Sequence, residues 1–221
     1  MGKFKRASPF FVSERMRQLG QIIILNGAPR SGKSSIALAI QATFPGEWEI
    51  FGVDRSCTKL TPVELFPGIG LRPGGERPDL EPFIVEAYQF LHTSIANLSR
   101  QGTNVAVDIG YHDSYSQPLS IRAKAADRLL GLPVLFVGVR CSIEEIMIRR
   151  NQGIDGSYVK GTEDDPFPEP VKRWQEEVHK PGIYDIEVDT SVKNPTECAE
   201  RIKERLESGK INNAFWLKPE A

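Results

Sequence analysis

The residues of this chain best suited to chemistry stand together in one octapeptide, Gly27-Ala28-Pro29-Arg30-Ser31-Gly32-Lys33-Ser34, which fits the pattern G-x-x-x-x-G-K-S in full. Glycines at both ends let the backbone curl so that its N–H groups point inward, and a helix leaving the second glycine adds partial positive charge. Such a loop is suited to the β- and γ-phosphates of a nucleotide. Lys33 is expected to hold β/γ oxygens, with Ser35 completing the set of contacts. Ser34 offers a hydroxyl to Mg²⁺, which prefers oxygen ligands in octahedral geometry. ATP and Mg²⁺ are therefore the expected ligands. Arg30 either touches phosphate or faces solvent.

Two carboxylates extend the chemistry. In an open parallel sheet, ligands collect at the carboxyl ends of the strands, and Asp54 and Asp108 directly follow the apolar runs Phe51-Gly52-Val53 and Val105-Ala106-Val107. Phosphoryl transfer to an alcohol is helped by a carboxylate that accepts the hydroxyl proton, the task expected of Asp54. Asp108 is expected to bind Mg²⁺ directly or through water. Either could instead be a turn or capping aspartate. The γ-phosphoryl group also needs positive charge, and Arg149 and Arg150 stand just before an irregular stretch that reads as a lid. Neighbours on a helix point about 100° apart, so one of the two is expected to face the nucleotide, and Arg149 is favoured. Arg140 and Arg173 are second candidates, each equally well explained as a surface ion pair. His92, His112 and His179 show no metal spacing; His112, near a strand end, is a weaker candidate for a substrate contact.

The elements that must position these residues are legible in the pattern. Apolar runs at Gln21–Asn26, Trp48–Val53, Asn104–Asp108, Val134–Arg140 and Asp185–Asp189 read as strands, the middle three nearly continuous as if buried on both faces. Between them Lys33–Phe44, Pro82–Arg100, Gln117–Leu130, Ile143–Asn151 and Pro195–Glu207 space apolar residues as helices do, the last capped by Asn194 or Thr196. This alternation predicts a three-layer α/β fold of P-loop NTPase, nucleoside-kinase-like type: a five-stranded parallel sheet with helices on both faces and a lid. One kinase domain over 20–210 is expected, with an acceptor segment at about 55–80 and a lid at about 149–175. An N-terminal arm or helix (1–19) and a C-terminal tail (211–221) flank it.

Composition narrows the partners. With 28 basic against 29 acidic residues among 221, the chain lacks the broad positive footprint of a nucleic-acid binder. The three cysteines are far apart in sequence and suggest neither a zinc site nor a disulfide framework. No apolar run is long enough to span a bilayer, and no signal-type stretch follows Lys3-Phe4-Lys5-Arg6; the cytoplasm is the expected compartment.

With these residues assembled, the chain resembles the chloramphenicol phosphotransferase-like family of small P-loop kinases. The resemblance rests on three blocks, Ile22–Asp54, Val134–Cys141 and Tyr184–Cys198, and above all on the joint occurrence of Phe51-Gly52-Val53-Asp54 and Val137-Gly138-Val139-Arg140-Cys141. It implies that Asp54 matches the family's proposed base for deprotonating an antibiotic hydroxyl, that Arg149 matches a lid arginine, and that the acceptor is a small molecule. Departures fall where specificity should reside: Asp108 is followed by Ile109 rather than a second acid, no second lid arginine appears among Asn151–Asp155, and the lid is longer through Gly161–Pro170. Chloramphenicol is thus one possible acceptor. Two other readings share the loop: a toxin-like or polynucleotide 5′-hydroxyl kinase, and a nucleotide-binding regulatory module whose output is closure rather than transfer.

Overall fold

The computed structural model describes residues 18–52, 72–153 and 159–217. Five strands, β1 (Ile22–Asn26), β2 (Trp48–Gly52), β3 (Asn104–Ile109), β4 (Val134–Arg140) and β5 (Ile186–Asp189), form one parallel sheet in the order β2-β3-β1-β4-β5. Six helices join or cover them: α1 (Lys33–Thr43), α2 (Glu81–Arg100), α3 (Ile121–Arg128), α4 (Ile143–Asn151), α5 (Glu169–Glu177) and α6 (Pro195–Glu207). This is the three-layer arrangement that the alternating pattern predicts.

Alternation along each strand divides the core. Ile23 and Leu25 of β1 point to the face covered by α1 and α6, where Ile36, Ile40, Cys198 and Ile202 are buried. Ile22 and Ile24 point to the opposite face, where Leu91 and Ile95 of α2 and Ala125 of α3 close the other layer. Each Ile or Leu side chain so buried contributes about 1.5–3 kcal/mol. The central strands β1, β3 and β4 are the continuous apolar ones. β2 departs from the expectation of burial on both faces: it is an edge strand, and Glu49 lies exposed on it, as edge strands tolerate.

Residues 213–217 join this body. A short 3-10 turn at Ala214–Trp216 buries Phe215 against Phe136 and Tyr111. Asp185 holds the turn's entrance, accepting from the backbone N–H groups of Asn213 (3.0 Å) and Ala214 (3.1 Å), while Arg122 donates to the Leu217 carbonyl (2.9 Å). At the amino ends of β1 and β4, an open, mainly apolar groove of about 560 Å³ is lined by residues including Leu19, Gln21, Leu130, Pro133 and Trp216. It lies at the end of the sheet away from the phosphate loop. Among the described residues, no helix is long and apolar enough to cross a membrane.

Two helices differ from expectation. The helix expected over Gln117–Leu130 is confined to Ile121–Arg128, because the Asp113 carboxylate accepts from the N–H groups of Leu119 and Ser120 (both 2.8 Å) and holds the preceding segment as a loop. α5 falls in the span read as lid. It turns Val171 and Trp174 onto Ile146 and Met147 of α4, a narrow apolar stripe on an otherwise polar helix.

Candidate active site

The sheet's order brings the site together. β1 is central, so its carboxyl end abuts β3 on one side and β4 on the other; Leu25 is in register with Asp108 and Asn26 with Gly138. Asn26 anchors the start of the loop. Its side-chain amide donates to the Val178 carbonyl (2.8 Å) and the Tyr184 hydroxyl (2.9 Å), and its side-chain oxygen accepts from the Tyr111 N–H (2.7 Å). The loop then turns away over β4: a methyl group at Gly27 would stand 2.5 Å from the Val139 carbonyl oxygen, so the backbone passes where no side chain fits. Gly32 has φ of 91° and Arg30, next in the turn but one, φ of 71°. The left-handed region is open to glycine without cost, whereas at Arg30 it is held by the surrounding structure.

α1 begins at Lys33 with no side-chain cap and no acid in its first turn. By contrast, α4 is capped by Ser142, and α6 by the Asn194/Glu197 capping box, each with acids in its first turn. α3 shares the uncapped, acid-free start, but only at α1 does a glycine loop precede the N-terminal amides, and that combination suits an anion. Lys33, largely buried, donates to the Ala28 carbonyl (2.9 Å) and pairs with Asp108 at 3.4 Å. Ser34 Oγ donates in a short hydrogen bond to the other Asp108 oxygen. A hydroxyl and a carboxylate side by side at the entrance to the loop are the hard oxygen ligands that suit Mg²⁺. Ala28 and Ser31 are buried, Pro29 and Arg30 half-buried, and Ser35 exposed in the first turn of α1. The Arg30 guanidinium reaches the end of α4, where a methyl group on Gly153 would stand 2.5 Å from it.

Arg149 reaches the loop as well, but at its backbone. The guanidinium donates to Glu145 Oε1 (2.9 Å), the Arg30 carbonyl (3.2 Å), Thr190 Oγ1 (3.1 Å) and the Thr190 carbonyl (2.8 Å). Arg150 is buried and donates to the Val159 carbonyl at 3.4 Å. Arg140 pairs with Glu187 and lies over the Tyr184 ring, and Arg173 pairs with Glu169 while reaching the Pro73 carbonyl. Asp54, expected to be the base, lies outside the described residues. Its strand is placed: Gly52, two positions earlier, is in register with Asp108.

His112 is buried, its ring centroid 4.2 Å from that of Tyr115 and edge-on to Trp174 at 5.0 Å. Among the described residues no cluster of His, Cys, Asp or Glu forms a metal site of three ligands. Burial pushes His179 down to about 4, with the charges of Arg140 and Lys33 adding to the effect, so it is a neutral partner of the Tyr184 hydroxyl at 2.8 Å. Asn26, Tyr184 and Thr190 are site-supporting residues that reasoning from strand-end acids passes over. Thr190 directly follows β5, but a rule that looks for acids at strand ends does not select a threonine.

A family model described as chloramphenicol phosphotransferase-like protein matches residues 20–207. No curated protein matches the chain. Among solved structures, the chain is similar to the APS kinase of Mycobacterium tuberculosis in complex with AMPPNP and APS, at 17% identity and TM-score 0.56, covering 86% of this chain and 98% of that one. It is also similar to a tunicamycin resistance protein of Deinococcus radiodurans, at 16% identity and TM-score 0.51, over 85% and 96% of the two chains. A shikimate kinase of Aquifex aeolicus aligns at 15% identity and TM-score 0.50, over 85% and 97%. These likenesses show the fold.

Proposed function

The chain belongs to the chloramphenicol phosphotransferase-like family of P-loop phosphotransferases, and from that premise we propose that it moves the γ-phosphoryl group of ATP onto a hydroxyl of a small molecule. The observation that carries this reading is the meeting of Lys33, Ser34 and Asp108 at an uncapped helix start. Lys33 holds oxygens of the β- and γ-phosphates. Ser34 and Asp108 would hold Mg²⁺, which would supply positive charge beside the phosphates. Asp54 orients the acceptor hydroxyl and takes its proton while that oxygen bonds to the γ-phosphorus; the bond from phosphorus to the bridging oxygen breaks, and ADP leaves. Chloramphenicol is one candidate among hydroxyl-bearing acceptors, and the even charge of the chain disfavours an oligonucleotide.

The test is a panel of hydroxyl-bearing antibiotics, nucleosides and oligonucleotide 5′ ends incubated with ATP and Mg²⁺, read by mass spectrometry. One small molecule gaining a single phosphoryl group is the expected result. A phosphorylated oligonucleotide would replace the small-molecule acceptor with a nucleic acid. Tight ATP binding with no phosphorylated product across the panel would favour a regulatory module.

A further inference from the structure

We infer that Thr190 and Arg149 brace the phosphate loop in its binding shape, a positioning role that rests on the reading of this loop as a nucleotide site. Thr190 is the first residue after β5 and is buried. Its N–H donates to the Arg140 carbonyl (3.0 Å), which ties it to the end of β4. Its hydroxyl donates to the Ser31 carbonyl (2.7 Å), and its own carbonyl receives Arg149 (2.8 Å), which also donates to the Arg30 carbonyl (3.2 Å). The two carbonyls held are consecutive, and they belong to the turn that contains the left-handed residues Arg30 and Gly32.

Peptide planarity gives the brace its consequence. In a trans peptide the N–H points opposite to the preceding C=O, so fixing the Ser31 carbonyl toward Thr190 aims the Gly32 N–H away from it. The contact is close on this side: a methyl group on Gly32 would stand 3.2 Å from Thr190 Cγ2 and 3.4 Å from a terminal nitrogen of Arg149. A guanidinium has five N–H donors, and Arg149 makes four hydrogen bonds to protein. Most of its donors are thus spent on the protein, three of the four bonds going to the Arg30 carbonyl and to Thr190. The geometry gives Arg149 a task beside the one its sequence position suggests: it also acts through the loop's backbone.

The test compares binding of Mg²⁺-ATP and of Mg²⁺-tripolyphosphate, which carries phosphates without a base, by calorimetry on the wild type, Thr190→Val and Thr190→Ser. Loss of the hydroxyl, which donates to the Ser31 carbonyl and accepts from Arg149, is expected to weaken both ligands at least about fivefold in Thr190→Val, and Thr190→Ser, which keeps the hydroxyl, is expected to restore both. Arg149→Lys, which keeps the charge but not the fork, is expected to weaken both ligands as well, and serves if Thr190→Val does not fold. Weakened ATP with unchanged tripolyphosphate would overturn the inference, because Thr190 would then serve the base end of the nucleotide. Unchanged binding of both ligands, or a Ser variant as weak as the Val variant, would also overturn it. A wild type that binds neither ligand would overturn the nucleotide reading together with the brace.

Discussion

Asp108 shows what a single residue does in this site. It neutralises Lys33 on one oxygen and accepts from Ser34 on the other, so it orders both side chains before any nucleotide arrives. Groups set in advance lose less freedom when the ligand binds. In Asp108→Asn the carboxylate is gone, and nucleotide affinity is expected to lose most of its dependence on Mg²⁺ while metal-free binding changes little; titration with and without the metal reads this directly. Lys33, Ser34 and Asp108 were legible in the sequence because each follows a local rule, a motif position or a strand end. Thr190 was hidden because a threonine after a strand has no chemistry of its own. Its significance appears only when β5 is seen two strands away from β1 and against the loop. Arg149 was legible as an arginine beside an expected lid, but the direction of its guanidinium, onto the loop's backbone, depends on Glu145 and Thr190.

At the scale of elements, the strands were readable because the central ones are buried on both faces and their apolar runs are continuous. α5 was not: its apolar residues Val171 and Trp174 are too few to give a periodic signal, and its burial depends on α4. The packing of α2 against the segment after β3 carries a pH dependence. His92 on α2 is buried, its Nε2 within 2.7 Å of the Tyr111 hydroxyl, and burial lowers it from the ordinary 6.5 to about 3, with the Arg128 charge adding to the shift. The unfolded chain therefore binds a proton that the folded chain refuses between these values. The contribution of His92 is complete above about pH 6.5 and is lost as pH falls toward 3. Urea midpoints are expected to fall between pH 7 and pH 4, and more steeply in the wild type than in His92→Gln, which has no imidazole to titrate.

Residues 214–216 complete one layer of the core. Residues 211–217 read in sequence as a tail of undetermined role, yet Phe215 is buried in the core of one sheet face, and Asp185 and Arg122 secure the backbone on either side of it. Nothing in the local sequence of that segment tells a docked turn from a free one, since the difference lies in Phe136 and Tyr111, which receive it. Phe215→Ala is expected to destabilise the protein by about 3–5 kcal/mol, the cost of a large-to-small change in a packed core. Denaturant unfolding measures this. Because Phe215 packs beneath Tyr111, which donates its N–H to Asn26 at the root of the phosphate loop, the body that the tail completes is the same one that holds the site.

The central claim is that this body exists to transfer a phosphoryl group from ATP, with Asp54 as the base. The most direct test is single-turnover transfer from γ-labelled ATP to the acceptor found in the panel, comparing the wild type with Asp54→Asn under conditions in which both are saturated with Mg²⁺-ATP. The account predicts that the variant binds ATP as tightly as the wild type and transfers about 10²- to 10⁴-fold more slowly, the range expected for loss of a general base. Transfer at the wild-type rate in Asp54→Asn would contradict it.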